Sequence, residues 1–132
     1  FSSRRRHTRL LTVTGVQTCA LPISRRALRV SMGQALSLPH ARTTDLLGDI
    51  AALRRDEWQV VALTPSADAV PLDEISPAPK VALLLGSERA GLSEGAMQAA
   101  DLRARIPMHA GVDSLNVANA SAVACWQLRR QG

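Results

Sequence analysis

The hydrophobic pattern from residue 24 onward alternates between helical and strand-like segments. Residues 25–36 are rich in helix formers, which predicts a short helix through Leu36. Residues 46–57 carry leucine and isoleucine at the three- and four-residue spacing of an amphipathic helix. Thr43 or Thr44 is the expected N-cap of this second helix, because a hydroxyl there can accept a backbone hydrogen bond from its first turn.

Three short apolar runs predict strands. They are "WQVVALTP" at residues 58–65, "KVALLLG" at residues 80–86 and "ARIPM" at residues 104–108. The second run is continuously apolar, which is typical of a strand buried on both faces of a parallel sheet. A brief extended piece is also expected at residues 70–72.

Two further helices are predicted after the second strand. One covers residues 92–103 with Ser93 as its N-cap, and the other runs from Ser114 to about Arg130 and is apolar nearly all round. Strands and helices that alternate with short connections predict a three-layer α/β domain with a mostly parallel sheet. We expect residues 24–132 to form one domain, since neither a repeat nor a linker divides them.

The first 23 residues differ from the rest. The segment "FSSRRRHTRLLTVTGVQTCALPI" has no helical or strand periodicity and holds four arginines and no acid. It closely resembles a peptide that recurs at the ends of metagenomic protein predictions, where sequencing-adapter DNA has been translated. A basic arm that grips phosphate is the alternative interpretation. We expect an adapter-derived segment that contributes nothing to the core and precedes an N-terminally truncated domain.

Composition and charge narrow the possible classes of function. Of the 132 residues, 46% are hydrophobic, which suits a packed core. No run approaches the roughly 20 apolar residues of a membrane span. The net charge of +5 arises almost wholly in the first 23 residues, because the remainder holds 12 basic and 11 acidic residues. The charge of the body therefore provides no strong argument for nucleic acid.

Cysteine and histidine are scattered along the chain. Cys19 and Cys125 form neither a metal-binding spacing nor a disulfide framework, and the three histidines lie far apart. We therefore predict no metal site. Two unpaired thiols indicate a reducing compartment, and we expect a cytoplasmic protein.

Two loops at the predicted carboxyl ends of strands carry candidate chemistry, since ligands bind at that edge of a parallel sheet. The first is "GSERAGL" at residues 86–92, where Gly86 permits a close backbone approach and Glu88 follows the strand end. The sequence has neither the Lys-Ser/Thr ending of a Walker loop nor a dinucleotide-binding glycine fingerprint. A tight turn with a solvated glutamate is the alternative interpretation.

The second loop covers residues 106–116. Pro107 interrupts the strand pattern, which would leave backbone groups near Ile106 and Met108 available to a planar ligand. Three polar residues lie at the start of the last helix: Asp113, Ser114 and Asn116. Taken alone, they are best interpreted as helix-capping residues.

Taken together, the two loops are far more specific. The stretch "LLLGSERAGLSEGAMQAADLRARIPMHAGVDSLNVANASAVACWQL" resembles the second and third motifs of the SpoU (TrmH-like) branch of the SPOUT RNA methyltransferases. "RVSMGQALSLPHAR" resembles the segment that follows the first motif of that family. The resemblance covers essentially all of residues 24–132. It implies an α/β fold with a deep C-terminal trefoil knot, a rare exception to unknotted topology.

The resemblance also implies a reaction. The knot of this family forms the pocket for S-adenosylmethionine, and the methyl group is transferred to a ribose 2′-hydroxyl of tRNA or rRNA. Four residues are implied to hold the cofactor: Gly86, Ile106, Met108 and Leu115. Three polar residues are implied to shape the catalytic site: Glu88, Ser114 and Asn116. The implied partners are RNA and a second copy of the chain, with neither a membrane nor a metal.

One part of the family pattern has no match in this chain. The family's first motif, an Asn-x-Gly run with an arginine implicated in activating the hydroxyl, lies upstream of the matched segment, and nothing before Ser24 resembles it. We therefore expect this chain to bind the cofactor weakly and to methylate RNA inefficiently, with a rate loss of about 10²–10⁴.

Three interpretations stay open. The first is a SpoU-type 2′-O-methyltransferase, and the second is a non-catalytic RNA-binding or dimerisation module on the same scaffold. The third is an unrelated nucleotide-binding α/β domain. Binding of S-adenosylmethionine separates the third interpretation from the others, and methyl transfer separates the first two.

Overall fold

Strands and helices alternate along the part of the chain that the structure describes. This computed structural model describes residues 9–14, 25–37, 39, 41, 43–87, 90–109 and 115–129. The strands are β1 (Arg9–Thr14), β2 (Gln59–Leu63), β3 (Val70–Pro71), β4 (Lys80–Leu85) and β5 (Leu102–Arg105). The α-helices are α1 (Arg25–Val30), α2 (Leu46–Arg55), α3 (Glu94–Ala99) and α4 (Val117–Leu128). Short 3-10 turns cover Gln34–Leu36 and Leu72–Glu74.

The five strands form one sheet in the order β1-β4-β2-β5-β3, and every neighbouring pair is parallel. β4 and β2 lie near the centre, with Val61 opposite Leu83 on one side and opposite Leu102 on the other. This confirms the predicted parallel sheet. The carboxyl ends of all five strands consequently meet at one edge.

Helices cover both faces of the sheet. Successive side chains of a strand point to opposite faces, so each central strand contributes to two cores. On one face, the residues of β2 and β4 pack with the end of α4: Val61, Val81, Leu83, Ala124 and Leu128. On the other face they pack with α2 and α3: Val60, Ala62, Leu84, Ile50 and Ala96. The three-layer arrangement is therefore confirmed for the described residues, whereas the trefoil knot stays a prediction.

The helix boundaries differ from the sequence prediction in informative ways. Asp45, rather than Thr43 or Thr44, caps α2, and its Oδ1 accepts a hydrogen bond from the Gly48 N–H at 3.0 Å. α3 ends at Ala99 instead of continuing to residue 103, because the chain turns into β5 from Leu102.

The described helices are short. α4, the longest, has 12 residues, and no helix among the described residues is long and apolar enough to cross a membrane. The single helix predicted through Leu36 is interrupted after Val30. Gly33 has a φ of +83°, a left-handed conformation that ends an α-helix, and a short 3-10 turn follows.

Strand β1 lies in the segment for which no element was predicted. It pairs with β4 over six positions, from Arg9 opposite Lys80 to Thr14 opposite Leu85. The lack of strand periodicity in residues 1–23 therefore does not exclude a strand at these six positions, and the expectation that the segment contributes nothing to the core stays a prediction. A strand added at the side of a sheet pairs through backbone hydrogen bonds. Such pairing does not require alternating apolar and polar side chains. The adapter origin of residues 1–23 and the domain boundary at residue 24 stay predictions.

Candidate functional site

A cleft of about 670 Å³ opens at the carboxyl ends of β2, β4 and β5. The residues that follow the three strands, Thr64, Gly86 and Ile106, line the cleft. Leu115 and Asn116, just before α4, line it as well. Small-molecule sites in proteins typically measure about 300–1,000 Å³. The cleft therefore has the place and the size expected for a ligand site of a parallel sheet.

The described lining of the cleft is largely apolar and uncharged. Its larger apolar side chains come from all three strand ends and from two helices: Leu63, Leu85, Leu92, Met97, Ile106, Met108, Leu115 and Val117. The polar side chains in this lining are Thr64, Ser87 and Asn116. Such a surface suits a flat, uncharged group, with specificity supplied by a few hydrogen bonds to backbone and neutral side chains.

The loop after β4 is a tight turn stabilised by its own backbone. The Ser87 N–H donates to the Gly91 carbonyl at 3.2 Å, and the Gly91 N–H donates to the Ser87 carbonyl at 3.0 Å. A Cβ on Gly86 would lie 2.3 Å from the Gly91 carbonyl carbon and 2.5 Å from the Leu92 nitrogen. The predicted close approach at Gly86 is therefore first of all an approach to the chain's own backbone, which shapes the cleft wall.

Asn116 lines the cleft and immediately precedes α4. Its Oδ1 accepts a hydrogen bond from the Ala118 N–H at 2.9 Å, so it is the N-cap of the helix. This confirms a capping role for Asn116 and shows that the helix begins at Val117, three residues later than predicted. Glu88, Asp113 and Ser114 lie outside the described residues.

The four residues implied to hold the cofactor come together. Gly86, Ile106, Met108 and Leu115 all line the cleft, although they come from three separate segments of the chain. Ile106 and Met108 lie beyond the end of β5, on either side of Pro107. The backbone of Met108 makes no hydrogen bond to another described residue. The binding role of all four residues stays a prediction.

The loop after β2 was missed as part of the site. Thr64 and Pro65 line the cleft, and the Thr64 N–H donates to the Ala104 carbonyl of β5 at 2.9 Å. Met97 of α3 was missed as well. The rule that selected the other two loops also applies to "VVALTP", because this run ends a central parallel strand at the same edge.

An acidic side chain, Asp68, lies in the loop that supplies Thr64 and Pro65 to the cleft. Asp68, in the loop after β2, has a pKa below its ordinary value of 3.8, because the Ser66 hydroxyl donates to its carboxylate and the Arg103 guanidinium lies beside it. Among the described residues, no three histidine, cysteine or acidic side chains lie close enough together to hold a metal ion.

The sequence matches a known family along most of its length. The model of the SpoU rRNA Methylase family matches residues 7–126. An uncharacterized tRNA/rRNA methyltransferase of Mycobacterium tuberculosis is 44% identical over 117 residues, which cover 86% of this chain and 41% of that protein. The 23S rRNA (guanosine-2′-O-)-methyltransferase RlmB of Coxiella burnetii is 32% identical over 103 residues, which cover 78% of this chain and 41% of that protein.

Solved structures show the same likeness. An AdoMet-bound rRNA methyltransferase from Sinorhizobium meliloti superposes with a TM-score of 0.73 at 32% identity, over 89% of this chain and 44% of that one. The SpoU methyltransferase AviRb from Streptomyces viridochromogenes, in complex with AdoMet, has a TM-score of 0.71 at 27% identity, over 90% and 48%. The chain thus spans less than half the length of each of these four relatives. Because the family model covers residues 7–126 of 132, this chain belongs to the SpoU rRNA methylase family.

Proposed function

We propose that this chain is the cofactor-binding part of an S-adenosylmethionine-dependent RNA methyltransferase that acts on a ribose 2′-hydroxyl of tRNA or rRNA. The observation that carries the proposal is that Gly86, Ile106, Met108 and Leu115 all line one cleft at the carboxyl ends of the strands. Two structural relatives hold AdoMet, and the name of the Coxiella burnetii relative specifies guanosine 2′-O-methylation. The two AdoMet-bound structures support the cofactor, and the Coxiella burnetii relative supports the ribose hydroxyl as the acceptor.

The described cleft fits S-adenosylmethionine in size and chemistry. The adenine ring is flat and uncharged, and it matches an apolar lining that holds Leu63, Met97 and Met108. Backbone groups beside Pro107 can bond the polar edge of such a ring, as the backbone of a strand bonds its neighbour. The described lining contributes no charged side chain, so it would hold a neutral part of the cofactor such as the adenine ring.

When bound, S-adenosylmethionine supplies an electrophilic methyl group. What remains for the chain is to orient the acceptor hydroxyl and to help remove its proton. Asn116 is held at the cleft mouth by its cap bond to Ala118, but a neutral amide is not a base. We therefore assign Asn116 a role in orientation, together with Ser114 and Glu88, which lie within two residues of the cleft-lining Asn116 and Gly86.

We extend the proposal to the form of the whole protein: a domain at residues 24–132 with a trefoil knot, located in the cytoplasm and paired with a second copy through α4. Family membership supports the knot. The pairing is supported by apolar side chains that α4 and its start leave uncovered, with Trp126 65% exposed and Val123 42% exposed. Sedimentation of the whole protein at micromolar concentration should give a dimer, and a monomer would contradict this part of the proposal.

The activity is tested with two measurements. Calorimetry measures S-adenosylmethionine binding to the 132-residue chain. Transfer of labelled methyl to bulk tRNA and rRNA is then measured for this chain and for the whole protein. Digestion of the product to nucleosides shows whether ribose or base carries the label. We expect binding by the chain and ribose labelling by the whole protein.

Two substitutions separate the roles of Asn116. Asn116→Ala removes the cap and the amide, whereas Asn116→Ser retains a capping oxygen. If the amide orients the acceptor, both variants of the whole protein should lose transfer by about 10²-fold, the effect of a small misplacement. Activity retained by Asn116→Ser would assign only a capping role to this residue.

The outcomes also separate the alternatives. Cofactor binding without transfer by the whole protein would favour a non-catalytic RNA-binding or dimerisation module. Family membership argues against the third interpretation, an unrelated nucleotide-binding domain. Failure of the chain to bind S-adenosylmethionine would therefore refute the proposed cofactor role of the cleft.

A further inference from the structure

The loop after β2 links the cleft to an ion pair outside it. Residues 64–69 connect β2 to β3, and the first two of them, Thr64 and Pro65, line the cleft. Asp68 lies farther along the same loop and contributes nothing to the lining. Contacts to Asp68 therefore restrain the loop that supplies part of the cleft wall.

Strand β5 holds this loop at three points. The Ala104 carbonyl accepts the Thr64 N–H at 2.9 Å. The Arg103 guanidinium donates to Asp68 Oδ2 at 2.7 Å, and Arg105 Nε donates to the Ala69 carbonyl at 3.1 Å. Arg103 and Arg105 are two positions apart on a strand, so their side chains leave it on the same side. Strand β5 thus bonds both the beginning and the end of the loop.

A chain of hydrogen bonds runs from Arg103 to the cleft wall. Asp68 accepts from Arg103 with one carboxylate oxygen and from the Ser66 hydroxyl with the other. The Ser66 N–H in turn donates to Thr64 Oγ1 at 3.3 Å. The two links within the loop join residues two positions apart, and the third joins the loop to β5. The carboxylate therefore stabilises the fold of the loop as well as its attachment to β5.

We propose that Arg103 and Asp68 are positioning residues for the cofactor cleft, which hold Thr64 and Pro65 in the conformation that contacts the ligand. This inference rests on the proposed binding of S-adenosylmethionine in that cleft. Both side chains are partly exposed, with relative accessibilities of 44% for Arg103 and 57% for Asp68. Solvent screening makes such a pair weak, so its effect is an adjustment of affinity and not an on–off switch.

The test compares two ion pairs of the same chain. Asp68→Asn and Arg103→Gln each remove the Asp68–Arg103 ion pair, which lies outside the cleft lining. Arg54→Gln is the matched control, because Arg54 Nε also bonds a carboxylate, that of Asp101, at 2.7 Å, but at the opposite edge of the sheet. We expect Asp68→Asn and Arg103→Gln each to raise the dissociation constant of S-adenosylmethionine about two- to fivefold, the affinity equivalent of a surface ion pair. Arg54→Gln should leave the dissociation constant unchanged.

A charge reversal and a second readout distinguish positioning from a general loss of stability. The double variant Asp68→Arg/Arg103→Asp should recover part of the affinity lost in Asp68→Arg. Amide hydrogen exchange at Ser66 and Ala69 should accelerate in Asp68→Asn while exchange at Val61 in the core stays slow. Equal affinity in wild type and Asp68→Asn, or unchanged exchange in the loop, would overturn the inference. Absence of cofactor binding in the wild-type chain would instead refute the proposed function, and the exchange data would still show whether the pair holds the loop.

Discussion

The amino and carboxyl ends of the parallel strands, here called the amino edge and the carboxyl edge, differ in how closely the chain packs around them. At the amino edge, the Asp101 carboxylate accepts the Val60 N–H at 2.8 Å and Arg54 Nε at 2.7 Å. The Gln59 side chain bonds the Ala78 N–H at 2.9 Å, in the segment before β4. At this edge, backbone N–H groups near the strand starts therefore donate to side chains of the same chain.

The carboxyl edge leaves room for a ligand instead. There the chain diverges after β2, β4 and β5 around the cleft, and the backbone of Met108 makes no hydrogen bond to another described residue. We therefore expect substitutions at the amino ends of the strands to affect mainly stability, and substitutions around the cleft to affect the proposed cofactor binding as well. Substitutions at the two edges should separate these effects.

The largest effect is expected for Gly86→Ala at the carboxyl edge. The new methyl group would overlap the backbone of Gly91 and Leu92, at 2.3 and 2.5 Å, so the turn has to move. We expect S-adenosylmethionine binding to fall more than about tenfold and the free energy of unfolding to fall by about 1–3 kcal/mol, as for other overpacked sites. Calorimetry and urea denaturation measure the two quantities.

Gly95→Ala is the matched control for this substitution. Gly95 lies in α3, where the added methyl would meet the Leu47 side chain at an ordinary 3.8 Å. Alanine favours helix over glycine by up to about 1 kcal/mol, so stability should be equal or slightly higher. Wild-type cofactor affinity in Gly86→Ala would show that the turn does not shape the binding site.

An intermediate effect is expected for Asp101→Ala at the amino edge. This substitution leaves the partly buried Val60 N–H without its acceptor and removes the partner of Arg54. An unsatisfied group of this kind costs about 1–2 kcal/mol in the free energy of unfolding. The urea midpoint should therefore fall while the dissociation constant of S-adenosylmethionine stays the same. A parallel loss of affinity would mean that the two edges are coupled through the sheet.

The smallest effect concerns the pKa of Asp68 beside the cleft. The Ser66 hydroxyl and the Arg103 guanidinium lower this pKa in the folded chain, so the contribution of the carboxylate is present above the unfolded value near 3.8 and is lost as the pH falls through the folded pKa. Arg103→Gln should raise the pKa of Asp68, and Arg54→Gln should leave it unchanged. A carboxyl-carbon NMR titration measures both, and an identical pKa in wild type and Arg103→Gln would contradict the ion pair in solution.

Much of the local structure follows from the sequence alone. The continuous apolar run of β4, the amphipathic spacing of α2 and the Ser93 cap of α3 are all confirmed, the last by a hydrogen bond from the Ala96 N–H to Ser93 Oγ at 3.3 Å. The adjacency of Gly86 and Ile106 was also predictable, since parallel strands end at one edge. Such features depend on periodicity or on neighbours a few residues apart, which any single sequence displays.

Pairing between distant segments was decided by the tertiary structure. The strand order, the addition of β1 beside β4, and the entry of Thr64 into the cleft depend on which edges meet in space. Likewise, Thr43, Thr44 and Asp45 all carry side chains that can cap a helix, and the path of the backbone selects Asp45. Backbone hydrogen bonds between strands are nearly independent of side-chain identity, so a sequence pattern specifies that a strand forms but leaves its neighbour to be chosen by the packing of the whole domain.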